Sequence, residues 1–343
     1  MKHFRFSFFV TAICLALAGY WGYQQQGGSG ALIAISLASI LGVMEVSLSF
    51  DNAVVNASVL KSWTNFWQTL FLTVGIIIAV FGMRLLFPLL IVSQAADLPM
   101  SQAWHLALND TQQFSQHLMN HHAEVAAFGG VFLLLVFLNF IFDDDKELHW
   151  LGRFEAKLAS LGKLSSMPVL LALLVVVLSI NLVSVDKQFV VLQAGIWGVI
   201  TYVAVDFVSS LLENEEQTEL NLGQAIKGGG VGGFLYLEVL DASFSFDGVI
   251  GAFAITSDVV IIMLGLAIGA MFVRSMTVFL VKQGTLDQYV FLEHGAHYAI
   301  GILALIMFAS MKFHIPEIIT GIIGVAFILA SLWSSIQHNK RQA

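Results

Sequence analysis

Ten stretches of the chain carry enough consecutive apolar positions to form membrane-length helices, at about 7–23, 31–60, 65–92, 124–142, 168–185, 189–212, 230–254, 258–281, 289–311 and 316–336. About 20 apolar residues span roughly 30 Å of hydrocarbon. The pattern therefore predicts an all-α polytopic membrane protein with nine to ten transmembrane helices. The pair 168–185 and 189–212, separated by Ser-Val-Asp-Lys-Gln, reads as a tight hairpin. The stretch 7–23 follows Lys2, His3 and Arg5 and resembles a signal peptide, but is read here as a retained span.

This predicts one transmembrane domain over residues 1–343. It is divided into an N-terminal span or signal-like segment at 1–30, a first repeat at 31–142 with an outer loop at 93–123, connecting elements at 143–227, and a second repeat at 228–343. Placing the N-terminus in the cytoplasm puts Lys61, Lys146, Arg153, Lys157, Lys163, Lys227, Lys282, Lys340 and Arg341 on the inner side. Only Lys187 and Lys312 face out, so the positive-inside rule is satisfied. The expected location is the inner (plasma) membrane.

Composition agrees. Of 343 residues, 58% are hydrophobic and 11% charged, whereas a soluble domain carries about 25% charged residues. A net charge of −8 argues against nucleic acid as a partner. The single cysteine, Cys14, excludes an intrachain disulfide and a thiolate metal cluster. Among the partners, the lipid bilayer follows directly, and a homo-oligomer is compatible with the sequence.

The polar interruptions of the apolar pattern carry the chemistry. EVSLSFDN at 45–52 lies within an otherwise apolar run, and a charge at a bilayer centre costs roughly 2.5–3.5 kcal/mol. DASFSFD at 241–247 repeats its order of acid, serine, serine, phenylalanine and aspartate. The alternating topology gives the two copies opposite directions, the signature of an inverted repeat whose halves meet at a midplane site. Glu45, Ser49, Asn52 and Asn56 form one helical stripe, matched by Glu238, Asp241 and Ser245. Asp51 and Asp247 fall about 120° from their partner acids on a regular helix. Either each helix breaks near its motif, bringing both acids to one site, or the acids serve different neighbours. A break is the expectation, with GGGVGG at 228–233 making room in the second copy.

Converging carboxylates need protons, arginines or a cation. An oxygen-only ligand set favours Mn²⁺, Mg²⁺ or Ca²⁺ over copper or zinc. Arg84 and Arg274 lie in the spans following the motifs, where they would fix one conformational state or form a purely structural ion-pair network. The expected direct ligands are Glu45, Asp51, Asp241 and Asp247, assisted by Asn52, Ser49, Ser245 and Glu238, with Asn56 on the same stripe. Protons are a candidate coupling ion.

These motifs, EVSLSFDN and LEVLDASFSFDGVIGAFAIT, resemble those of the TerC family, named for tellurium resistance and grouped with LysE-type cation exporters. Glu45, Asp51, Asn52, Glu238, Asp241 and Asp247 match its acidic and amide positions, and Arg84, Arg274 and Lys312 its basic ones. The resemblance covers roughly 31–90 and 228–325 and implies divalent metal transport, foremost Mn²⁺ efflux. Two positions depart from it. Gly248 stands where the family carries serine, and the downstream proline is missing. The loop 93–123 and the extra spans make the chain longer than a seven-span member.

LEHGAHYAIG places Glu293, His294 and His297 on one helix, as a proton relay or entry ligands, or as plain polar packing near the cytoplasmic end. His105, His117, His121, His122 and Glu124 lie on amphipathic sequence read as a solvated loop helix. DDDKE at 143–147 and ENEEQTE at 213–219 read as charged helix ends. No phosphate loop, catalytic triad or metalloprotease helix is present, so nothing positive supports an enzyme. The rivals to a carrier are a non-transporting partner for metal loading or a stress complex, and a Ca²⁺/cation–proton antiporter.

Overall fold

A computed structural model describes residues 4–144, 146, 148–163, 166–212, 229–284 and 288–342. These residues are helical and form a bundle. Helix α1 (Arg5–Leu48) is a hairpin of two arms that reverse at Gln26 and Gly27, where Gly27 takes φ +65°. The arms touch at Gly22, where a Cβ would overlap Gly30 O and lie 2.6 Å from Ala34 Cβ. Only glycine permits both the turn and the close approach. Next come α2 (Phe50–Leu60) and α3 (Asn65–Gln94), which is π-helical at Phe71–Gly75 and Ile78–Leu86. The segment expected as an outer loop folds into two short amphipathic helices, α4 (Met100–Asn109) and α5 (Thr111–Asn120). These bury Ala103, Ala107, Phe114 and Leu118. The Asp110 carboxylate caps α5 by accepting from Gln113 N–H.

The remaining helices are α6 (His122–Ile141), α7 (Arg153–Ala159), α8 (Met167–Ser179), α9 (Gln188–Leu212), α10 (Val231–Ile255), α11 (Val259–Lys282), α12 (Leu292–Ser310) and α13 (Glu317–Gln342). All ten apolar stretches fall on helix. Among the described residues, seven helices are long and apolar enough to cross a membrane, and α1, counted once among them, doubles back. Two expected spans fall outside the seven. At 13 residues, α8 reaches only about 20 Å, too short to cross alone. Helix α10 is 25 residues long, but no stretch of crossing length avoids Glu238, Asp241 and Asp247. The protein is an all-α polytopic membrane protein, and its outer faces present apolar side chains such as Leu32, Val43, Ile77, Phe189 and Trp333.

The loops gather at two ends. At one end, Trp21 and Gln25 donate to Asp258, Thr111 donates to Ser257, and Lys187 donates to Asn120 O. At the other, Lys61 pairs with Glu293, Trp63 packs on Gly229, and Phe4 lies against Phe279. The second arm of α1 with α2 therefore runs from the first end to the second, and α10 runs back.

Packing follows this antiparallel arrangement. The first motif helix packs on α11 and α12, while α10 packs on α3 and α6, and α6 and α12 pack on each other. Each motif helix thus lies against two of the long helices that follow the other motif helix. The N-terminal arm of α1 adds a further layer on α11, where buried Ser7 donates to Met271 O at 2.7 Å.

Candidate functional site

The first motif does break. Helix α1 ends at Leu48 and α2 starts at Phe50, with Ser49 at φ −106°, ψ 20° between them. The break sends the two acids to different places. Glu45, 1% exposed, forms an ion pair with Arg84 of α3, and Ser49 Oγ donates to Glu45 Oε1 at 3.2 Å. Its stem packs on α11 so closely that a Cβ at Gly269 would overlap Glu45 Cβ. Asp51 accepts from Asn52 N–H at 3.0 Å and faces α13, where a Cβ at Gly324 would sit 3.4 Å from its Oδ2. The expectation that a break would bring Glu45 and Asp51 to one site is corrected. Each acid occupies its own glycine-lined recess.

The second motif does not break. Helix α10 continues through it, and the glycines expected to make room for a break lie before the helix, at Gly229 (φ +71°) and Gly230 (φ +141°), or in its first turn, at Gly232 and Gly233. The first two let the chain turn tightly against Trp63, 2.9 Å from a Cβ placed on Gly229. Asp247 lies on α10, but its side chain is outside the described residues.

Between α2, α3, α10 and α11 lies a cavity of about 40 Å³, lined by Asn52, Asn56, Arg84, Asp241, Arg274 and Thr277 with apolar neighbours. A space of this size holds one to three waters or an ion with little of its shell. Asn52 Nδ2 donates to Asp241 Oδ1 at 2.5 Å, and the Asn56 side chain also bonds to Asp241. Both amides thereby leave their carbonyl oxygens, Asn52 Oδ1 and Asn56 Oδ1, buried without a partner. Arg84 Nη1 donates to Ala79 O at 3.0 Å, Nε has no partner, and Asp241 lies within electrostatic reach of the guanidinium. Arg274 forms no ion pair among the described residues.

Glu238 stands one turn before Asp241. Both its oxygens are buried without hydrogen bonds, and Oε1 fills the space that a Cβ at Gly75 of α3 would occupy. Ser245 Oγ is likewise buried and unpartnered. Gly248, where the resembling motif has serine, would carry a Cβ 2.6 Å from Glu45 Oε2. The two motifs therefore meet at this position, and the side chain missing from one copy makes room for the acid of the other.

Of the four carboxylates expected to cluster, the three whose side chains are described, Glu45, Asp51 and Asp241, do not converge on one point. Among the described residues, no three His, Cys, Asp or Glu side chains converge closely enough to hold a metal ion. The physical reason lies in the competition for each acid. Arg84 holds Glu45, α13 takes Asp51, and Asn52 and Asn56 hold Asp241.

Glu293, His294 and His297 do not line the cavity either. His294 Nε2 meets Leu148 O at 3.0 Å and Glu155 Oε1 at 3.4 Å, and His297 stacks on Phe140 at 3.9 Å with Nδ1 2.9 Å from Glu293 O. Glu293 pairs loosely with Lys61 at 3.9 Å. These groups pin the loop after α6 beneath α12. Glu155, which sequence reasoning missed, is the centre of that anchor. It is fully buried and accepts from Lys146 Nζ at 2.8 Å and from Leu151 N–H at 3.1 Å. Burial opposes its ionisation, but the bonds from His294, Lys146 and Leu151 outweigh it and hold its carboxyl well below the usual range. Lys146, read as part of a charged helix end, is its partly buried partner.

On the opposite end, His121 Nδ1 lies 3.4 Å from Glu124 Oε1, and His105 is exposed. ENEEQTE at 213–219 lies outside the described residues. Gly75 and Gly269 were also missed. Gly265-Leu-Ala-Ile-Gly269 carries the small-x-x-x-small spacing of close helix pairs in membranes, a signal that points to the face receiving Glu45.

No curated protein and no solved structure matches the chain. A family described as "Protein of unknown function (DUF475)" matches residues 50–342, which include Asp51, Asn52, Arg84, the second motif and Arg274 but begin after Glu45 and Ser49. With most of its length matched, the chain belongs to the DUF475 family.

Proposed function

We propose that the protein is a membrane carrier for a hard divalent cation, Mn²⁺ foremost, which binds between the two motif copies and is released by alternating access. The observation that carries this reading is the set of oxygens around the central cavity. Asn52 and Asn56 present unpartnered carbonyl oxygens beside Asp241, with Glu45 and Glu238 behind, and no sulfur or imidazole lines the space. Buried carbonyls without donors are costly, and a hard cation satisfies them.

The acids exceed the arginines. Glu45 and Asp241 share Arg84, while Glu238 and Asp51 are buried acids without an arginine partner among the described residues, an imbalance that a divalent cation would reduce. The resemblance of the motifs to TerC selects Mn²⁺ and export. Arg5, Lys61, Lys146, Arg153, Lys157, Lys282, Lys340 and Arg341 gather at one end of the bundle, against Lys187 and Lys312 at the other. In this reading the positive-inside rule puts the end that carries Lys61 and Lys282 in the cytoplasm of a plasma-membrane protein.

The test is cation flux into vesicles reconstituted with the protein, comparing Mn²⁺, Ca²⁺, Mg²⁺ and Zn²⁺. Saturable Mn²⁺ flux above that of Zn²⁺ is expected, and flux of none of the four would overturn the reading. A second reading has its own observation. The buried Glu45–Arg84 pair supports a non-transporting membrane partner whose acids are structural. That reading predicts a folded protein that neither binds nor moves these cations.

A further inference from the structure

Arg84 stands where the two motif copies contribute charge to the same place. Its guanidinium pairs with Glu45 of the first copy and lies within reach of Asp241 of the second, while facing the cavity beside Asn52 and Asn56. A cation bridging the motifs would occupy this position. We propose that Arg84 is an internal cation that holds Glu45 in the resting state and must leave it before the transported cation can take that carboxylate. The inference rests on the carrier reading above and adds how the site is kept closed.

Three features support it. First, Arg84 is underused for a buried structural arginine. Nη1 bonds Ala79 O and Nη2 pairs with Glu45, but Nε has no partner. A guanidinium held only for stability would be expected to satisfy its full fork of donors. Second, Arg84 lies in the nine-residue π-helical stretch Ile78–Leu86. Such wide turns are rare and are concentrated at functional sites. Removing one residue from a wide turn rotates everything beyond it by about 100°, so relaxation towards α-helix gives Arg84 a route away from Glu45. Third, Glu45 cannot follow it. Its stem is wedged against Gly269 and its Oε2 against Gly248, leaving the arginine as the mobile member of the pair.

A competitor that occupies a ligand lowers apparent affinity by the fraction of time the ligand is free. Removing the competitor therefore tightens cation binding, which distinguishes this role from a structural one. The experiment titrates the purified full-length protein with Mn²⁺ by calorimetry, comparing wild type, Arg84→Gln, Arg84→Lys and the Glu45→Gln/Arg84→Gln pair. Arg84→Gln is expected to bind Mn²⁺ at least ~10-fold more tightly than wild type, with slower vesicle flux because the resting state is lost. Arg84→Lys, which keeps the charge but loses the fork, is expected to fall between them. The double variant should lose the gain, because the gain runs through Glu45.

If Arg84→Gln does not yield folded protein, Arg84→Lys carries the same test, with affinity at least ~3-fold tighter than wild type expected. Wild-type binding with unchanged or weaker affinity in the folded Arg84 variant would overturn the proposal and leave the carrier reading standing. Absence of Mn²⁺, Ca²⁺ and Mg²⁺ binding in every protein, wild type included, would overturn both.

Discussion

The two motif copies share a sequence pattern but differ in what they do with it. The first breaks at Ser49, sends Glu45 to Arg84 and Asp51 to α13, and is followed by a helix with long π-helical stretches. The second runs through α10 without a break and is followed by the regular helix α11, whose Arg274 faces the cavity. One arginine thus serves acids of both copies. Under the carrier reading proposed above, such inequality would correspond to one conformation of an alternating carrier. Residues that carry the difference should therefore have unequal effects when changed.

The largest effect is expected at Asp241, the one carboxylate among the described residues that lines the cavity. Asp241→Asn should reduce cation flux to background in reconstituted vesicles while the protein still folds, because an asparagine fits the same space. Flux within a few-fold of wild type would remove Asp241 from the site.

Glu45→Gln comes next. It leaves Arg84 as a buried charge without its partner, a change that typically costs about 3–5 kcal/mol. Asp51→Asn, whose acid accepts a backbone N–H and pairs with no arginine, should cost clearly less. Melting temperatures in detergent separate the two, and equal losses would contradict the division of labour between the acids.

The glycines sharpen the comparison further. Gly269→Ala pushes a methyl group into the wedged stem of Glu45 and within 3.0 Å of Gly42 O, where overpacking typically costs about 1–3 kcal/mol. Gly75→Ala meets the far end of the Glu238 side chain, which can swing aside, and the Phe71 ring at 3.2 Å, but no backbone atom. The first should lower the melting temperature more than the second. The reverse order would mean that Glu238, not Glu45, is the fixed acid.

How much of this was legible in the sequence depends on the kind of contact. The apolar runs placed the helices, because lipid tolerates no unpaired backbone and a long apolar segment has few alternatives to helix. The repeated acid-serine-phenylalanine pattern led to the cavity between Asn52, Asn56 and Asp241. The destination of each acid was not legible. Whether Glu45 and Asp51 converge depends on how the chain turns at Ser49 and on which helices then pack against each acid, and no residue type there signals either. Gly248 read as a departure from a family pattern, yet its meaning is a contact with Glu45, far away in sequence. Glu155 sits in a charged loop that resembles any solvated surface, and its burial arises only when that loop folds beneath α12.

The smallest effect concerns that loop. The carboxyl of Glu155 is held below its ordinary range, so its ionised form adds stability above the unfolded glutamate value of about 4.3. This contribution is lost as pH falls from there towards the folded value. The melting-temperature difference between wild type and Glu155→Gln should therefore be largest near neutral pH and shrink below about pH 4. A difference that stays constant or grows on acidification would contradict the buried anchor.

The central claim, that the two copies jointly hold one cation, is tested most directly by anomalous X-ray scattering from crystals grown with Mn²⁺. The account predicts a single strong peak among Asn52, Asn56 and Asp241, at oxygen distances of about 2.0–2.6 Å. Mn²⁺ found only at the loop histidines beside Glu124, with the central cavity empty at saturating metal, would contradict it.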